Sequence, residues 1–281
     1  MRNKLPTSVG VEYTYIMPDD VGLGRPWSTC PRNETLTNYA QMMRDRGFRR
    51  AHDDGGACEV PSLKHTTWKS MKSFHKRMMK AAKHLQLVTH KEIVEPCGDI
   101  NVVAGGGGHV HVGLGRMSKA RKSKIVFNMI HDVANRPFLN WIFNQFSDEG
   151  TADSIAFSPL NHEAVKNRDL QNYDCWKTTA IEYRKEFNSM EFRFFEMGRT
   201  WQDTEAYVTF ALAYYKWICA RTRKGEVIQM KIKTKKQVRS FTKRRCKREF
   251  EALLRQLKLP VKTYRKYYSN LDDRYAFGEL R

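Results

Sequence analysis

The sequence predicts an α+β fold, and two observations carry that prediction. Stretches with two-residue alternation, each turning a polar group to one face, occur at residues 8–17, 57–60, 110–113 and 189–196. Between them run stretches with apolar residues at three- and four-residue spacing, the longest at 68–85 and 203–222. With 41% hydrophobic and 12% aromatic residues in a chain of 281, a sizeable buried core is available, which excludes wholesale disorder and collagen-like structure. There is no internal repeat and no long linker, so the expectation is one large domain or two small ones.

Taken in order, Ser8 to Met17 alternates as a strand, with Val11, Tyr13, Tyr15 and Met17 on one face and Gly10, Glu12, Thr14 and Ile16 on the other. Residues 18–34 are rich in Pro, Gly and Asp and read as a loop, followed by a short helix from Thr35 to Arg46 that ends towards Gly47. A turn at Asp53, Asp54, Gly55 and Gly56 leads into a short strand, Ala57 to Val60, stopped by Pro61. Ser62 stands where an N-cap is expected before an amphipathic helix. Its apolar stripe is Trp68, Met71, Met78, Met79, Ala82 and Leu85, with lysines on the remaining surface. A strand pair, Ile100 to Ala104 and Val110 to Gly113, is joined through Gly105 to Gly108. Helices follow at Lys119 to Ala134 and Pro137 to Phe146, the second opened by its proline. Residues 147–180 read as irregular, Ser189 to Glu196 as a strand, and Asp203 to Thr222 as a helix burying Ala206, Phe210, Ala213 and Trp217.

Charge is the strongest compositional signal, at a formal +20 with a sequence pI near 9.8. Ten Lys or Arg and no acid fall between Lys231 and Arg248. Such a block suits the phosphates of a nucleic acid, an anionic cell-wall polymer or a lipid surface, and equally a solvated helix face. No apolar run approaches the roughly 18 residues of a membrane span, and the basic start runs into a strand-like segment, so a soluble, unexported protein is expected. The six cysteines include no Cys-x-x-Cys pair, which points to a reducing cytosol and away from a cysteine zinc site. Cys58 is read as a small residue beside a strand carboxylate, in preference to a nucleophile.

Four segments place metal-competent groups on strands: Gly10-Val-Glu12, Asp54 with Glu59, His109-x-His111 and Glu191-x-Arg193. Two residues apart on a strand, His109 and His111 share a face while Val110 and Val112 take the other. Carboxylates and imidazoles from several strands suit Mg²⁺ or Mn²⁺, and an arginine adds a planar fork for a phosphate or carboxylate. Metals plus an arginine, without an evident nucleophile, is the pattern of phosphoryl transfer. The glycine run lacks Gly-Lys-Ser/Thr and opens no helix, so it is neither a P-loop nor a dinucleotide fingerprint.

From residue 8 to about residue 217 the order of these segments resembles the amidoligase family, within the carboxylate-amine ligases that include glutamine synthetase and gamma-glutamylcysteine synthetase. The resemblance rests on Gly10 and Glu12, on Asp54, Glu59 and Ser62, on Gly108, His109 and His111, and on Glu191 and Arg193 followed by Gly198 and Thr200. It implies an antiparallel sheet of the glutamine synthetase type packed by helices, with ATP and Mg²⁺ (or Mn²⁺) on its concave face. Glu12, Glu59, His109 and Glu191 resemble metal ligands. Gly108, His111 and Arg193 match the nucleotide-facing positions, with Arg193 and Glu59 in the catalytic roles. The implied reaction forms an acyl phosphate from a carboxylate and ATP, which an amine then converts to an amide.

Where the family often has Glu-x-Glu this chain has Thr14, a neutral oxygen, and the spacing from Asp54 to Glu59 is short beside the family pattern. A catalytically degenerate, virion-associated or nucleic-acid-binding protein on the same fold is therefore the alternative, and a phosphotransferase to a guanidine or amine a third. Frequent occurrence of the family in bacterial viruses implies a phage-type protein of the host cytoplasm. Its implied substrates are amino acids, peptides, proteins or cell-wall components. Residues 1–224 are expected to form the catalytic domain and 225–281 a basic helical extension. A monomer or dimer is expected, since the motif set is complete in one chain.

Overall fold

A computed structural model describes residues 3–16, 34–53, 57–85, 107–143, 165, 167–170, 173, 180–196, 200–231, 237 and 241–269. Its secondary structure is α+β, and the chain divides into two compact units. One comprises Met1–Val110 with Glu196–Glu205, the other His111–Phe195 with Ala206–Arg281. Asp54, Gly198, residues 18–33 of the segment expected as a loop and the strand expected at Ile100–Ala104 lie outside the described residues. Among the described residues no helix is long and apolar enough to cross a membrane.

The first unit holds β1 (Lys4–Ile16), α1 (Glu34–Asp45), β2 (His52–Asp53), β3 (Ala57–Pro61), β4 (His65–Thr67) and α2 (Trp68–His84). Its strands run in the order β2-β3-β1, with β4 also on β1, and β5 (Gly107–Gly113) starts beside β1. The β1–β3 pair is antiparallel, Thr14 facing Glu59 and Tyr13 facing Val60. The alternation read in β1 holds: Val9, Val11, Tyr13 and Tyr15 are buried. Gly47 ends the first helix at φ +86°, a left-handed conformation that favours glycine.

The start of α2 differs from expectation. Thr67, and not Ser62, is the N-cap, its hydroxyl accepting from the Ser70 N–H at 3.2 Å. Residues 65–67 first pair with β1, which delays the helix. Ser62 instead locks β1: its Oγ accepts from the Val11 N–H at 2.9 Å and donates to the Leu63 carbonyl at 2.9 Å. Ser62→Ala orphans a buried strand N–H and is expected to cost about 1–3 kcal/mol, read as a shift of the urea midpoint at unchanged slope. Along α2, Met71, Met78 and Ala82 are buried as the spacing predicts, whereas Trp68 and Met79 are half-buried and His75 takes an unforeseen place in the stripe.

The second unit holds α3 (Lys119–Ala134), α4 (Phe138–Phe143), β6 (Ile181–Arg184), β7 (Ser189–Glu196), α6 (Lys243–Gln256) and α7 (Val261–Ser269). Most of α5 (Trp201–Arg223) also belongs to it. The strand order is β5-β7-β6, and β5 passes from one unit into the other between Val110 and His111. The antiparallel β6–β7 hairpin sets Glu182 opposite Glu191 and turns through Asn188, at φ +48°.

The core of this unit is aromatic. Phe143 meets Phe195 and Phe210 at 5.0 Å between ring centroids, Phe250 of α6 at 5.4 Å and Tyr267 of α7 at 5.5 Å. Buried Tyr264 donates its hydroxyl to the Ala206 carbonyl at 2.9 Å, so the two basic C-terminal helices are built into the unit. On α5 the buried residues include Tyr207, Phe210, Tyr214 and Ile218. Trp217 is only half-buried, and the Arg136 and Arg221 guanidiniums lie over its ring at 5.5 and 4.4 Å.

Candidate functional site

β5 supplies the frame. Val110 and Val112 are buried on one side of the strand, which turns His109 and His111 to the other. In the first unit, His109 is buried and its Nδ1 lies 2.6 Å from Glu12 Oε1. Glu12 points away from Val11 and Tyr13 by the alternation of β1. Thr14 is buried two residues further on, directly opposite Glu59, so Glu12, Thr14 and Glu59 share one face of the β1–β3 pair. The Glu59 carboxylate is 3.3 Å from Nε2 of exposed His52, a histidine that no sequence motif singles out. Gly108 is buried on β5 beside His109. Cys58 faces Tyr15 on the buried side, consistent with a packing role.

On the other face of β1, Tyr13 Oη lies 2.8 Å from His75 Nδ1 and 3.3 Å from Thr204 Oγ1, and His75 Nδ1 lies 3.2 Å from that hydroxyl. Burial pushes His75 down from 6.5 to about 4, against a smaller opposing pull from Asp203. His75 is therefore neutral in the folded chain. As pH falls from about 6.5 to about 4 the unfolded chain takes the proton first, so stability is lost across that window. Buried His65 and His131 are also lowered, first by desolvation, and act in the same direction. The His75 share is measured as the difference in urea-midpoint loss from pH 7 to pH 4.5 between the natural chain and His75→Gln, which is expected to lose less.

In the second unit, Glu191 is nearly inaccessible on β7, and Arg193 Nη1 donates to its Oε1 at 2.8 Å. His111 Nε2 lies 3.8 Å from the same oxygen, and the ring of Phe187, an exposed residue, meets the His111 imidazole edge-on at 5.9 Å. Two residues absent from the sequence motifs complete the group. Glu182 is fully buried directly across from Glu191, and Arg184 Nη1 stands 3.5 Å from Glu182 and 3.6 Å from Glu191. Opposed carboxylates repel, and the two guanidiniums offset that repulsion. Burial opposes the charge on Arg184, but Glu191, Glu186 and Glu182 together raise its pKa. The signal in the sequence is the repeated Glu-x-Arg spacing, Ile-Glu-Tyr-Arg on β6 and Met-Glu-Phe-Arg on β7.

Thr200 has a structural role. Its hydroxyl donates to Asp203 Oδ2 at 2.7 Å and accepts from the Asp203 N–H at 3.2 Å, while the Asp203 carboxylate accepts from the Thr200 N–H at 3.3 Å. That reciprocal pattern caps the start of α5.

No protein-family profile and no curated protein matches the chain. The chemistry of the residues then stands on its own. Glu12 with His109 offers oxygen and neutral nitrogen donors and no thiolate, a set that fits Mg²⁺ or Mn²⁺ better than a soft metal. Glu191 with Arg193 and Arg184 offers guanidinium forks, still partly exposed, that fit a phosphate or carboxylate oxygen.

Proposed function

We propose that this protein is an ATP-dependent ligase that joins a carboxylate to an amine, the activity implied by its resemblance to the amidoligases. The observation that carries the reading is β5, whose two histidines share a face and each meet a strand carboxylate, Glu12 for His109 and Glu191 for His111. Glu12, Glu59, His109 and Glu191 are the proposed ligands of divalent cations, which screen phosphate charge when bound. Gly108 and His111 face the nucleotide. Arg193, held in place by Glu191, orients the γ-phosphate or the substrate carboxylate and stabilises charge as the phosphoryl group moves. Glu59, held by His52, contributes charge on the β3 side.

In the reaction a substrate carboxylate oxygen bonds to the γ-phosphorus as the bond to ADP breaks. The amine nitrogen then bonds to the acyl carbon, phosphate leaves, and the nitrogen gives up a proton. Thr14 contributes a neutral oxygen at the Glu-x-Glu position, so a cation held there depends more on water or substrate oxygens.

Isothermal titration with a non-hydrolysable ATP analogue tests the reading. Binding that requires Mg²⁺ supports it and leads to screening amino acids and peptides for stimulated phosphate release. Absence of nucleotide binding with Mg²⁺ present overturns it.

A further inference from the structure

The basic block acquires a definite geometry in α6. Cys246, Phe250, Leu253 and Leu254 are buried and hold one side of this helix in the aromatic core. Arg244, Arg248 and Arg255 recur at i, i+4 and i+11, lie on the opposite side and are exposed. Both acids of the helix are committed: Glu249 pairs with Arg245 at 2.7 Å, and Glu251 accepts from the Tyr268 hydroxyl at 2.8 Å. Arg255 stands 4.0 Å from Glu251, at the outer limit of an ion pair. α7, packed on α6 through Tyr264 and Tyr268, adds exposed Lys262 and Arg265.

Stability of the helix does not explain this pattern. The first turn of α6 carries no acid and begins Lys-Arg-Arg, at the end where the helix dipole disfavours cations. The face also discriminates among anionic partners. Its apolar side is already buried, so the helix has nothing left to insert into a lipid surface. The exposed large hydrophobic residues among those described are Met42, Leu63, Phe187 and Val227, none on α6 or α7, so the apolar centre of a protein interface is missing. No exposed aromatic ring on these two helices is offered for stacking on single-stranded bases either, since Tyr264, Tyr267 and Tyr268 are buried. Guanidiniums are left, spread over about 16 Å of helix. That length spans about five base pairs of duplex, whose strands each carry one phosphate per about 3.4 Å of helix axis.

We propose that the outer face of α6 and α7 is a docking surface for the phosphate backbone of duplex nucleic acid, bound without regard to base sequence. Arg244, Arg248 and Arg255 supply forks to phosphates of the backbone, and released counterions drive association. The surface is independent of the ligase reading, because none of the sheet residues takes part.

The test uses the full chain and a fluorescein-labelled 24-base-pair duplex of scrambled sequence, titrated by anisotropy from 50 to 200 mM KCl. Log affinity is expected to fall linearly with log salt, with a slope of about −3 to −5. The triple variant Arg244→Gln, Arg248→Gln, Arg255→Gln is expected to lose about 3 of that slope and at least about tenfold in affinity at 100 mM. A charge-matched control on α2, Lys76→Gln, Lys80→Gln, Lys83→Gln, is expected to keep most of both. Should the triple variant fail to fold, Arg248→Gln alone reports a loss of about 1 in slope. Equal losses in the two triple variants, no duplex binding at 50 mM KCl, or polyglutamate competing as well as the duplex at equal charge each overturns the proposal.

Discussion

If the chain is the proposed ligase, Glu191→Gln is expected to abolish Mg²⁺-dependent binding of the ATP analogue, weakening it by about 100-fold or more. Loss of a supporting group around a metal already costs about 10- to 100-fold, and a direct ligand exceeds that. Two effects combine. The amide oxygen still accepts from Arg193, now 2.8 Å from Glu191 Oε1, but it carries no charge to offer a cation. Arg193 and Arg184 also lose the anion that holds them in place, which loosens the guanidinium proposed to orient the phosphate. Some stability goes too, about 1–3 kcal/mol, since the charge sits in a nearly closed position. A thermal melt separates the two readouts, and titration well below the transition reports binding alone. A Glu191→Gln protein that binds the analogue as tightly as the natural chain, with the same Mg²⁺ requirement, removes Glu191 from the ligand set.

The largest expected effect on stability comes from Phe143→Ala, at about 3–5 kcal/mol. Phe143 is 1% exposed and its ring meets those of Phe194, Phe195, Tyr207, Phe210, Phe250, Tyr264 and Tyr267. Rings of that size on four separate elements cannot all collapse into the space, so a cavity remains and edge-to-face contacts are lost with it. For a chain of this size the expected fall in Tm is about 10 °C. Phe143→Leu fills much of the volume and is expected to cost less than half as much. A fall under about 3 °C for the alanine variant in differential scanning calorimetry contradicts this account of the core.

Local chemistry is legible wherever one segment carries its own signal. α3 spans Lys119–Ala134, as its apolar spacing predicts, with the Ser118 hydroxyl capping the Arg121 N–H at 3.4 Å. β7 spans Ser189–Glu196, because Met190, Phe192 and Phe194 alternate with Glu191 and Arg193. Strand alternation turns Glu12 and His109 each away from the core, and the pairing of β5 with β1 then brings them together. β6 escapes a reading by periodicity because four residues are too few to establish a period, and only its Glu-x-Arg likeness to β7 marks it. His75 escapes it because a histidine breaks an apolar stripe on paper, whereas Tyr13 and Thr204 satisfy it in the fold. Ser62 looks like the cap because a hydroxyl's partner, here a β1 amide 51 positions away, is not encoded in its neighbours.

From its sequence alone this chain declares an α+β composition, a set of strand-borne carboxylates and imidazoles, and a basic block. These follow from periodicity and residue type, which are local quantities. Only the tertiary structure decides that Glu182 faces Glu191 under two arginines, that Glu59 meets His52, and that α6 buries one side in an aromatic core and turns Arg244, Arg248 and Arg255 outward. Strand register and helix docking are chosen by contacts between residues far apart in the chain, where burial of large rings outweighs any local preference.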